Sequence, residues 1–345
     1  MELNESDRAW LAALPKVELH LHLEGAIPLP TLWTLAEKYG GDPATPSLEA
    51  LQARFAYRDF AHFIDTWVWK NRFLREAEDF TLVAEAVARH LSAQGHVYVE
   101  AFCSPPDFAA SGLEPQEILG ALRRGLDRVP QLRVALVPDL VRDFGPRRAA
   151  RTLAQVAECA DLGVIGIGLG GSEADFPPAL FTEIFAEARR RGLRTSCHAG
   201  EAAGADSVRQ ALELLQVDRI GHATRAVEDR GLVDELVRRG TGLELCPLSN
   251  VRTGVIPSLA EHPIRRYLEL GARLSVNTDD PAMFHTSLAG EYGALMELFR
   301  LDRAAIRALV ESAIAISWLP DAEQALLRTR CLGPDRPAGA ASPLD

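Results

Sequence analysis

The chain has 345 residues, of which 47% are hydrophobic and 25% are charged, and its formal net charge is −11. This composition is typical of a globular protein with a sizeable core. The excess of negative charge argues against a nucleic-acid partner, which would favour a basic surface, and more weakly against an anionic membrane. No run of about 18 apolar residues is present, so the sequence predicts no transmembrane helix.

The N-terminus and the cysteines indicate the cellular compartment. The first five residues are acidic and lack an apolar core, so we expect no secretory signal peptide. The five cysteines are scattered and show no Cys-x-x-Cys spacing, which argues against a disulfide framework. We therefore expect a cytoplasmic protein.

Short apolar runs rich in β-branched residues recur along the chain, with segments of helical periodicity between them. We predict strands at 17–21, 97–102, 132–137, 164–168, 194–198, 219–221, 242–246 and 273–277. Eight strands that alternate with helices favour an α/β fold, the closed (β/α)8 TIM barrel. An open, doubly wound sheet is the competing architecture.

The spacing of these strands also predicts the domain organisation. A long segment separates the first two strands, and residues 59–75 within it are predicted to form a helical insertion. We assign residues 1–335 to a single barrel domain. Residues 336–345 end a stretch rich in proline, alanine and glycine, and we expect them to form a loose tail.

The first predicted strand ends in a His-x-His pair. Side chains alternate between the two faces of a strand, so His20 and His22 are expected to point to the same side. Two imidazoles on one side suit a single metal ion, and zinc is a common choice for such ligands. Chance spacing, or a pair of hydrogen-bonded core histidines, is the alternative interpretation.

Further polar side chains follow other predicted strands at the end where a barrel places its catalytic residues. The residues at these strand ends are His20, His22, His198, Glu201, His222, Asp279 and Asp280. Three imidazoles and a carboxylate, from His20, His22, His198 and Asp279, form a ligand set that suits a catalytic zinc. Water bound to such an ion has its pKa lowered to about 7. The sequence therefore predicts a hydrolytic metal site.

Three residues beside the predicted ligands are candidates for catalysis. Glu201 lies three positions after His198 and is placed to transfer protons, although an acid at a helix N-terminus is the alternative. His222 is expected to orient or deprotonate the attacking water, unless it is a core histidine. Asp280 follows Asp279 and is expected to face the substrate.

Two other motifs are weak. Residues 166–171 match the spacing G-x-G-x-x-G, but no helix pattern opens there and arginines stand near the offset where a dinucleotide site needs an acid. These glycines more plausibly allow the backbone to approach a flat ligand. The P-C-x-x-C element of the signature of cysteine-ligated nucleobase deaminases is absent from the sequence, which argues against a cysteine-ligated zinc.

Taken together, the motifs resemble those of the adenosine deaminase family of the amidohydrolase superfamily. The resemblance runs from Pro15–Lys16–Val17–Glu18–Leu19–His20 to Asn277–Thr278–Asp279–Asp280–Pro281, and includes His198–Ala199–Gly200–Glu201 and Cys246–Pro247–Leu248–Ser249–Asn250. It implies a (β/α)8 barrel with one zinc ion per chain. The reaction implied is the hydrolytic release of ammonia from C6 of an aminopurine.

The resemblance also implies a role for each site residue. The zinc ligands would be His20, His22, His198 and Asp279. Glu201 would protonate the ring nitrogen N1, His222 would position the hydroxide, Asp280 would bond to N7 and the Gly171 backbone N–H would bond to N3. Glu173 is an alternative bridging ligand in a two-metal arrangement.

The substrate is less well specified by the sequence. Glu24 stands where the resemblance to adenosine deaminases would place an aspartate that contacts the ribose, and the adenine and aminodeoxyfutalosine deaminases of the family share the glutamate. Phe60, Phe63 and Trp67 are predicted to contact the substrate as part of a lid, although an ordinary amphipathic helix explains the same pattern. We expect a small-molecule 6-aminopurine nucleoside, adenosine or aminodeoxyfutalosine. The alternatives are free adenine and a different zinc amidohydrolase reaction.

Overall fold

The computed structural model describes residues 3–333, so the predicted tail at 336–345 lies outside the described residues. Eight strands follow one another along this part of the chain. They are β1 (Lys16–His22), β2 (His96–Cys103), β3 (Arg133–Pro138), β4 (Gly166–Ile167), β5 (Arg194–Ala199), β6 (Arg219–His222), β7 (Gly242–Leu245) and β8 (Leu274–Val276). All eight coincide with the predicted strands to within a few residues.

The strands form a parallel (β/α)8 barrel, which confirms the predicted fold class. Strands β1–β3 pair in order, and so do β4–β8. Isolated parallel bridges join the two sets at both seams: Leu136 to Val164 and Asp139 to Gly168 on one side, and Leu21 to Asp279 on the other. The strand ends that carry the predicted site residues therefore face one mouth.

Helices cover the outside of the barrel. They are α1 (Glu5–Ala13), α2 (Leu29–Lys38), α3 (Leu48–Arg54), α4 (Phe60–Asn71), α5 (Ala77–Ala93), α6 (Pro115–Leu126), α7 (Gly145–Val156), α8 (Thr182–Arg190), α9 (Ala205–Gln210), α10 (Arg230–Arg239), α11 (Pro247–Arg252), α12 (Ile264–Glu269), α13 (Pro281–Phe284), α14 (Leu288–Phe299), α15 (Arg303–Ile316) and α16 (Asp321–Leu332). Because both faces of the sheet are covered, the strands are almost entirely buried.

The predicted insertion after the first strand is present. Four helices, α2 to α5, separate β1 from β2, and α4 covers most of the predicted segment. The helix begins after Asp59, whose side chain accepts a hydrogen bond from the His62 backbone N–H. Its apolar face places Phe60, Phe63 and Trp67 toward the barrel mouth, where all three line a cavity.

Strand β4 is shorter than predicted, since only two of the five expected residues have strand geometry. A side chain at Gly168 would lie 2.2 Å from an Asp139 oxygen and 2.6 Å from the Phe102 ring. The backbone therefore passes close to its neighbours at this seam. Among residues 3–333, no helix is both long and apolar enough to span a bilayer.

Candidate active site

Four predicted ligands converge at the barrel mouth. His20 and His22 lie at the end of β1, His198 near the end of β5, and Asp279 just after β8. The Nε2 atoms of His22 and His198 are 3.1 Å apart, and Asp279 Oδ1 lies 3.3 Å from His22 Nε2 and 3.4 Å from His20 Nε2. Ligand atoms about 2.0–2.2 Å from a tetrahedral zinc lie about 3.3–3.6 Å from one another. The spacing of these four side chains therefore fits a zinc ion.

Hydrogen bonds at the outer side of the cluster fix which atoms face inward. His20 Nδ1 lies 2.9 Å from Glu244 Oε2, and His20 Nε2 has no hydrogen-bond partner among the described residues. Ser249 donates to Asp279 Oδ2 at 2.7 Å, which leaves Oδ1 toward the histidines. Hydrogen bonds to the atoms of a ligand that point away from the metal are characteristic of metal sites.

The protonation states of His22 and His198 are compatible with metal binding. Burial lowers the pKa of His22 to about 3 and holds the pKa of His198 well below its usual range. Both imidazoles are therefore neutral near pH 7, as metal ligation requires. The Nε2 atoms of the two rings face each other in a buried space. Two facing lone pairs repel each other there unless a cation or a proton lies between them.

His222 also lies close to this cluster. One nitrogen or carboxylate oxygen from each of His20, His198, His222 and Asp279 lies within 4.8 Å of the others, and His22, His198 and Asp139 form an overlapping group. His222 differs from the other histidines because its Nδ1 lies 3.1 Å from the Asn250 amide nitrogen. Since that amide donates, Nδ1 accepts and the proton resides on Nε2 in the neutral ring.

Glu201 faces the His222 ring. Its Oε2 lies 3.6 Å from His222 Nε2, and Asn250 donates to its Oε1 at 3.4 Å. Burial raises the pKa of Glu201 well above its usual range, and the nearby carboxylates of Asp279 and Glu173 raise it further. The raised pKa favours the protonated form of the side chain, which can donate a proton.

Asp280 is buried beside the ligand Asp279. Burial and the Asp279 charge raise the pKa of Asp280 well above its usual range, and its Oδ1 has no hydrogen-bond partner among residues 3–333. A side chain at Gly25 would come within 1.7 Å of that oxygen, so only glycine leaves room for the carboxyl group. The raised pKa favours the neutral form of Asp280, and its Oδ1 is an unused polar atom.

Two residues at the mouth have a left-handed backbone. The φ angles of His222 and Asp279 are 62° and 65°, in a region that costs non-glycine residues energy. His222 is the last residue of β6, and Asp279 lies three residues after the end of β8. Backbone strain of this kind is concentrated at functional sites in proteins.

A cavity of about 540 Å³ opens above the cluster. Its inner part is lined by His22, His198, Glu201, His222, Asp279 and Asp280. Its outer part is largely apolar, and is lined by Phe60, Phe63, Ile64, Trp67, Val68 and Phe144. Gly171, with a φ of 103°, also lines the cavity, so the structure brings the predicted N3 contact to the same space.

Glu24 does not line this cavity. Its Oε1 accepts a hydrogen bond from the Ser104 backbone N–H at 2.8 Å, and its Oε2 has no partner among the described residues. Burial raises its pKa to about 7. Ser104 itself lines the cavity, so Glu24 lies behind the cavity surface and contacts it through the Ser104 backbone.

The alternative role of Glu173 as a bridging metal ligand is not favoured by its contacts. Its carboxylate accepts hydrogen bonds from the backbone N–H groups of Gly200, Glu201, Ala202 and Ala203. These bonds occupy both oxygens and hold the turn after β5, which positions Glu201. Glu173 therefore has a structural role in the site.

The residues that hydrogen-bond to the outer atoms of the site side chains were not predicted from the sequence. Glu244 contacts His20, accepts from Ser196 Oγ at 2.9 Å and accepts from Arg219 Nε at 2.5 Å. Ser249 and Asn250 lie on α11, directly after β7. The signal that could have identified them is the charged residue Glu244 inside the otherwise apolar strand β7, followed by the polar residues Ser249 and Asn250.

A parallel eight-stranded barrel with a buried His/Asp cluster at the carboxyl ends of its strands defines the class of amidohydrolase enzymes. The sequence pattern of the adenosine deaminase family matches residues 15–332. Adenine deaminase of Rhodospirillum rubrum is 35% identical over 327 residues, which cover 94% of this chain and 98% of that protein. The chain belongs to the adenosine deaminase family and is a hydrolytic deaminase, as the motifs predicted.

Solved structures agree with this assignment. Adenine deaminase from Arthrobacter aurescens superposes with a TM-score of 0.88 at 29% identity, and the match covers 93% of this chain and 98% of that one. An amidohydrolase from Burkholderia ambifaria with bound zinc also gives 0.88, at 27% identity, and the match covers 96% and 93% of the two chains. The barrel and the site thus lie in a family of metal-binding deaminases.

Proposed function

We propose that this protein is a zinc-dependent deaminase that releases ammonia from C6 of a 6-aminopurine, and that adenine is its substrate. The observation that carries the proposal is the shared cavity: the His/Asp cluster and the protonated acids Glu201 and Asp280 all face it. Hydrolysis of an amino group from an aromatic ring needs an activated water and a proton donor at the same time.

In this proposal His20, His22, His198 and Asp279 hold one zinc ion. The contacts between their donor atoms, 3.1 to 3.4 Å, support this set. His22 is preferred to His222 as a ligand, because His22 Nε2 lies 3.1 Å from His198 Nε2 and 3.3 Å from Asp279 Oδ1, whereas His222 contacts Asn250 through Nδ1 and faces Glu201 through Nε2. A bound zinc ion would lower the pKa of the attacking water to about 7.

Glu201 is proposed to donate its proton to ring nitrogen N1. Protonation of N1 draws electron density from C6, so that water adds to that carbon and makes it tetrahedral. Neutral His222, whose Nε2–H faces Glu201 at 3.6 Å, would orient the water by donating a hydrogen bond to its oxygen, and Glu201, ionised once N1 is protonated, takes up the proton that the water releases. Glu201 passes that proton to the amino group, which leaves as ammonia, and it then regains a proton from the C6 hydroxyl, so that the purine keeps oxygen at C6.

Two further contacts are proposed to orient the purine ring. Neutral Asp280 donates a hydrogen bond to N7 through its unpaired carboxyl group, and the Gly171 backbone N–H is available for N3. Phe60, Phe63 and Trp67 line the outer cavity, where a substituent at N9 would lie. Glu24 acts on the substrate through Ser104, since its carboxylate holds that backbone at the cavity wall.

Adenine is preferred over the nucleoside that the sequence suggested. The relatives that share 35% identity over most of the chain are adenine deaminases, as is the structural neighbour from Arthrobacter aurescens. A 6-aminopurine with a substituent at N9 is the second candidate. The cavity of about 540 Å³ supports it, because pockets of about 300–1,000 Å³ enclose ligands of drug size and a bare purine fills only part of this one.

The proposal is tested by measuring ammonia release from adenine, adenosine and aminodeoxyfutalosine with the zinc-loaded protein. We expect the highest kcat/KM with adenine. A higher kcat/KM with either substituted purine would replace adenine by the second candidate. The Glu201→Gln variant, prepared in the same way, controls for contaminating deaminases. Lack of activity on all three compounds would contradict the proposed reaction.

A further inference from the structure

Asp139 is a buried acid that the proposed reaction does not use. It directly follows β3, is 2% exposed and lines the inner cavity. Burial raises its pKa to about 8. Its Oδ1 has no hydrogen-bond partner among residues 3–333. Burial of a carboxyl group is costly unless hydrogen bonds compensate it, so the contacts of its other oxygen, Oδ2, become decisive.

The neighbouring strand leaves space for this side chain. Added Cβ atoms at Gly168 and Gly170 would lie 2.2 Å and 2.8 Å from the two Asp139 oxygens. Side chains at either position would displace the carboxyl group. The two glycines after β4 therefore form a recess that Asp139 fills from β3.

The carboxyl group in this recess faces His22. Asp139 Oδ2 lies 3.9 Å from His22 Nδ1, and that nitrogen has no hydrogen-bond partner among the described residues. Two other ligands already have such a hydrogen-bond partner: His20 contacts Glu244, and Asp279 accepts from Ser249. In the described part of the chain, His22 has no other carboxylate within 4.0 Å of its Nδ1.

We infer that Asp139 is the positioning residue for His22: its carboxyl oxygen accepts a hydrogen bond from His22 Nδ1–H and directs Nε2 toward the metal. Closing the 3.9 Å separation to hydrogen-bond distance needs about 1 Å of movement. A carboxyl oxygen can accept this bond whether the acid is charged or neutral. The inference rests on the proposed zinc site.

The test compares zinc affinity, measured by competition with a chelator, in wild type and in Asp139→Leu. Leucine has a similar size and no acceptor, so packing is kept while the bond is lost. We expect zinc affinity to fall about 10- to 100-fold, as is usual when a partner of a metal-bound histidine is removed. Asp139→Asn keeps an acceptor oxygen and should recover most of the affinity. The visible spectrum of the cobalt-substituted protein should change in the leucine variant.

Asp143→Ala is the matched control, because Asp143 lines the same cavity but bonds to the Ser172 backbone N–H instead of a histidine. Its zinc affinity should equal that of wild type. Wild-type affinity and an unchanged cobalt spectrum in Asp139→Leu would overturn the inference, and so would a rise in KM for adenine with unchanged zinc affinity. If Asp139→Leu does not fold, Asp139→Ala takes its place under the same criteria. Failure of wild type to bind zinc would instead contradict the proposed function.

Discussion

The floor and the wall of the cavity are built from different parts of the chain. The floor consists of His20, His22, His198 and Asp279, which lie at barrel strand ends and are at most 8% exposed. The wall consists of Phe60, Phe63, Ile64, Trp67 and Val68 on the inserted helix α4, where Val68 is 65% exposed. Hydrogen bonds hold His20 and Asp279 in the floor, whereas the rings of Phe60, Phe63 and Trp67 in the wall pack against one another at a tilt, and only Trp67 among them donates a hydrogen bond, to Asp107.

This difference separates the reaction from the choice of substrate. A change in the floor leaves a buried polar atom without a partner, which costs about 1–3 kcal/mol for each group. A change in the wall removes apolar contacts made by side chains that are already partly exposed to solvent. We therefore expect floor variants to reduce turnover on every substrate, and wall variants to change the ranking of substrates while the reaction continues.

The largest effect is expected for His198→Ala. The variant removes a proposed ligand, so zinc content should fall to near zero and kcat/KM should fall by at least about 10³-fold, because the metal supplies several kcal/mol of stabilisation. Metal analysis and ammonia release are measured on the same preparation. His90→Ala, which changes an exposed histidine on α5, should match wild type in both. Full zinc content in His198→Ala would contradict the proposed ligand set.

Glu201→Gln is expected to separate proton donation from metal binding. Glutamine keeps the size of the side chain and the contact with Asn250, so zinc content should stay at the wild-type value. Loss of the proton donor should lower kcat by about 10²- to 10⁴-fold. Turnover close to that of wild type would show that another group donates the proton.

The pH dependence gives a second test of the same residue. Burial raises the pKa of Glu201, so the active, protonated form persists into the neutral range and is lost as the pH rises through that pKa. Wild-type kcat/KM should therefore decline on the alkaline side. The residual activity of Glu201→Gln should lack this decline, and a decline of the same position and slope would assign it to another group.

The floor could be predicted from the sequence because its signals are local. His20 and His22 share a face through the two-residue period of a strand, and strand ends in a barrel meet at one mouth. The partner of each ligand could not be predicted in the same way. Glu244 contacts His20 across 224 positions of sequence, and only the order of the strands brings the two together.

Glu24 shows that a residue close in sequence to a ligand need not line the cavity. It is two residues beyond His22, but the strand has ended and the chain turns there. The alternation of side chains therefore no longer applies, and the carboxylate bonds to Ser104 behind the cavity surface. Helical spacing predicts that the aromatic residues of α4 share one face of the helix. Whether that face lines the cavity depends on where the insertion packs against the barrel.

The smallest effect is expected for Phe60→Ala in the wall. Phe60 is partly exposed and contacts Phe63, with ring centroids 5.9 Å apart. Loss of its contact with an N9 substituent should cost about 1 kcal/mol, roughly a fivefold rise in KM. Adenine has no such substituent, so its kcat/KM should stay at the wild-type value. Adenine and adenosine are compared on one preparation, with Leu298→Ala on α14 as a control for an exposed apolar side chain.

The outcome distinguishes a wall that contacts substrate from a helix that only covers the barrel. Equal losses with adenine and adenosine would mean that Phe60 supports the floor through packing, and the separation of reaction from substrate choice would fail at this residue. A loss confined to adenosine would mean that the outer cavity recognises what is attached to the purine. In that case the ranking of substrates is determined by α4, an element that the barrel itself does not require.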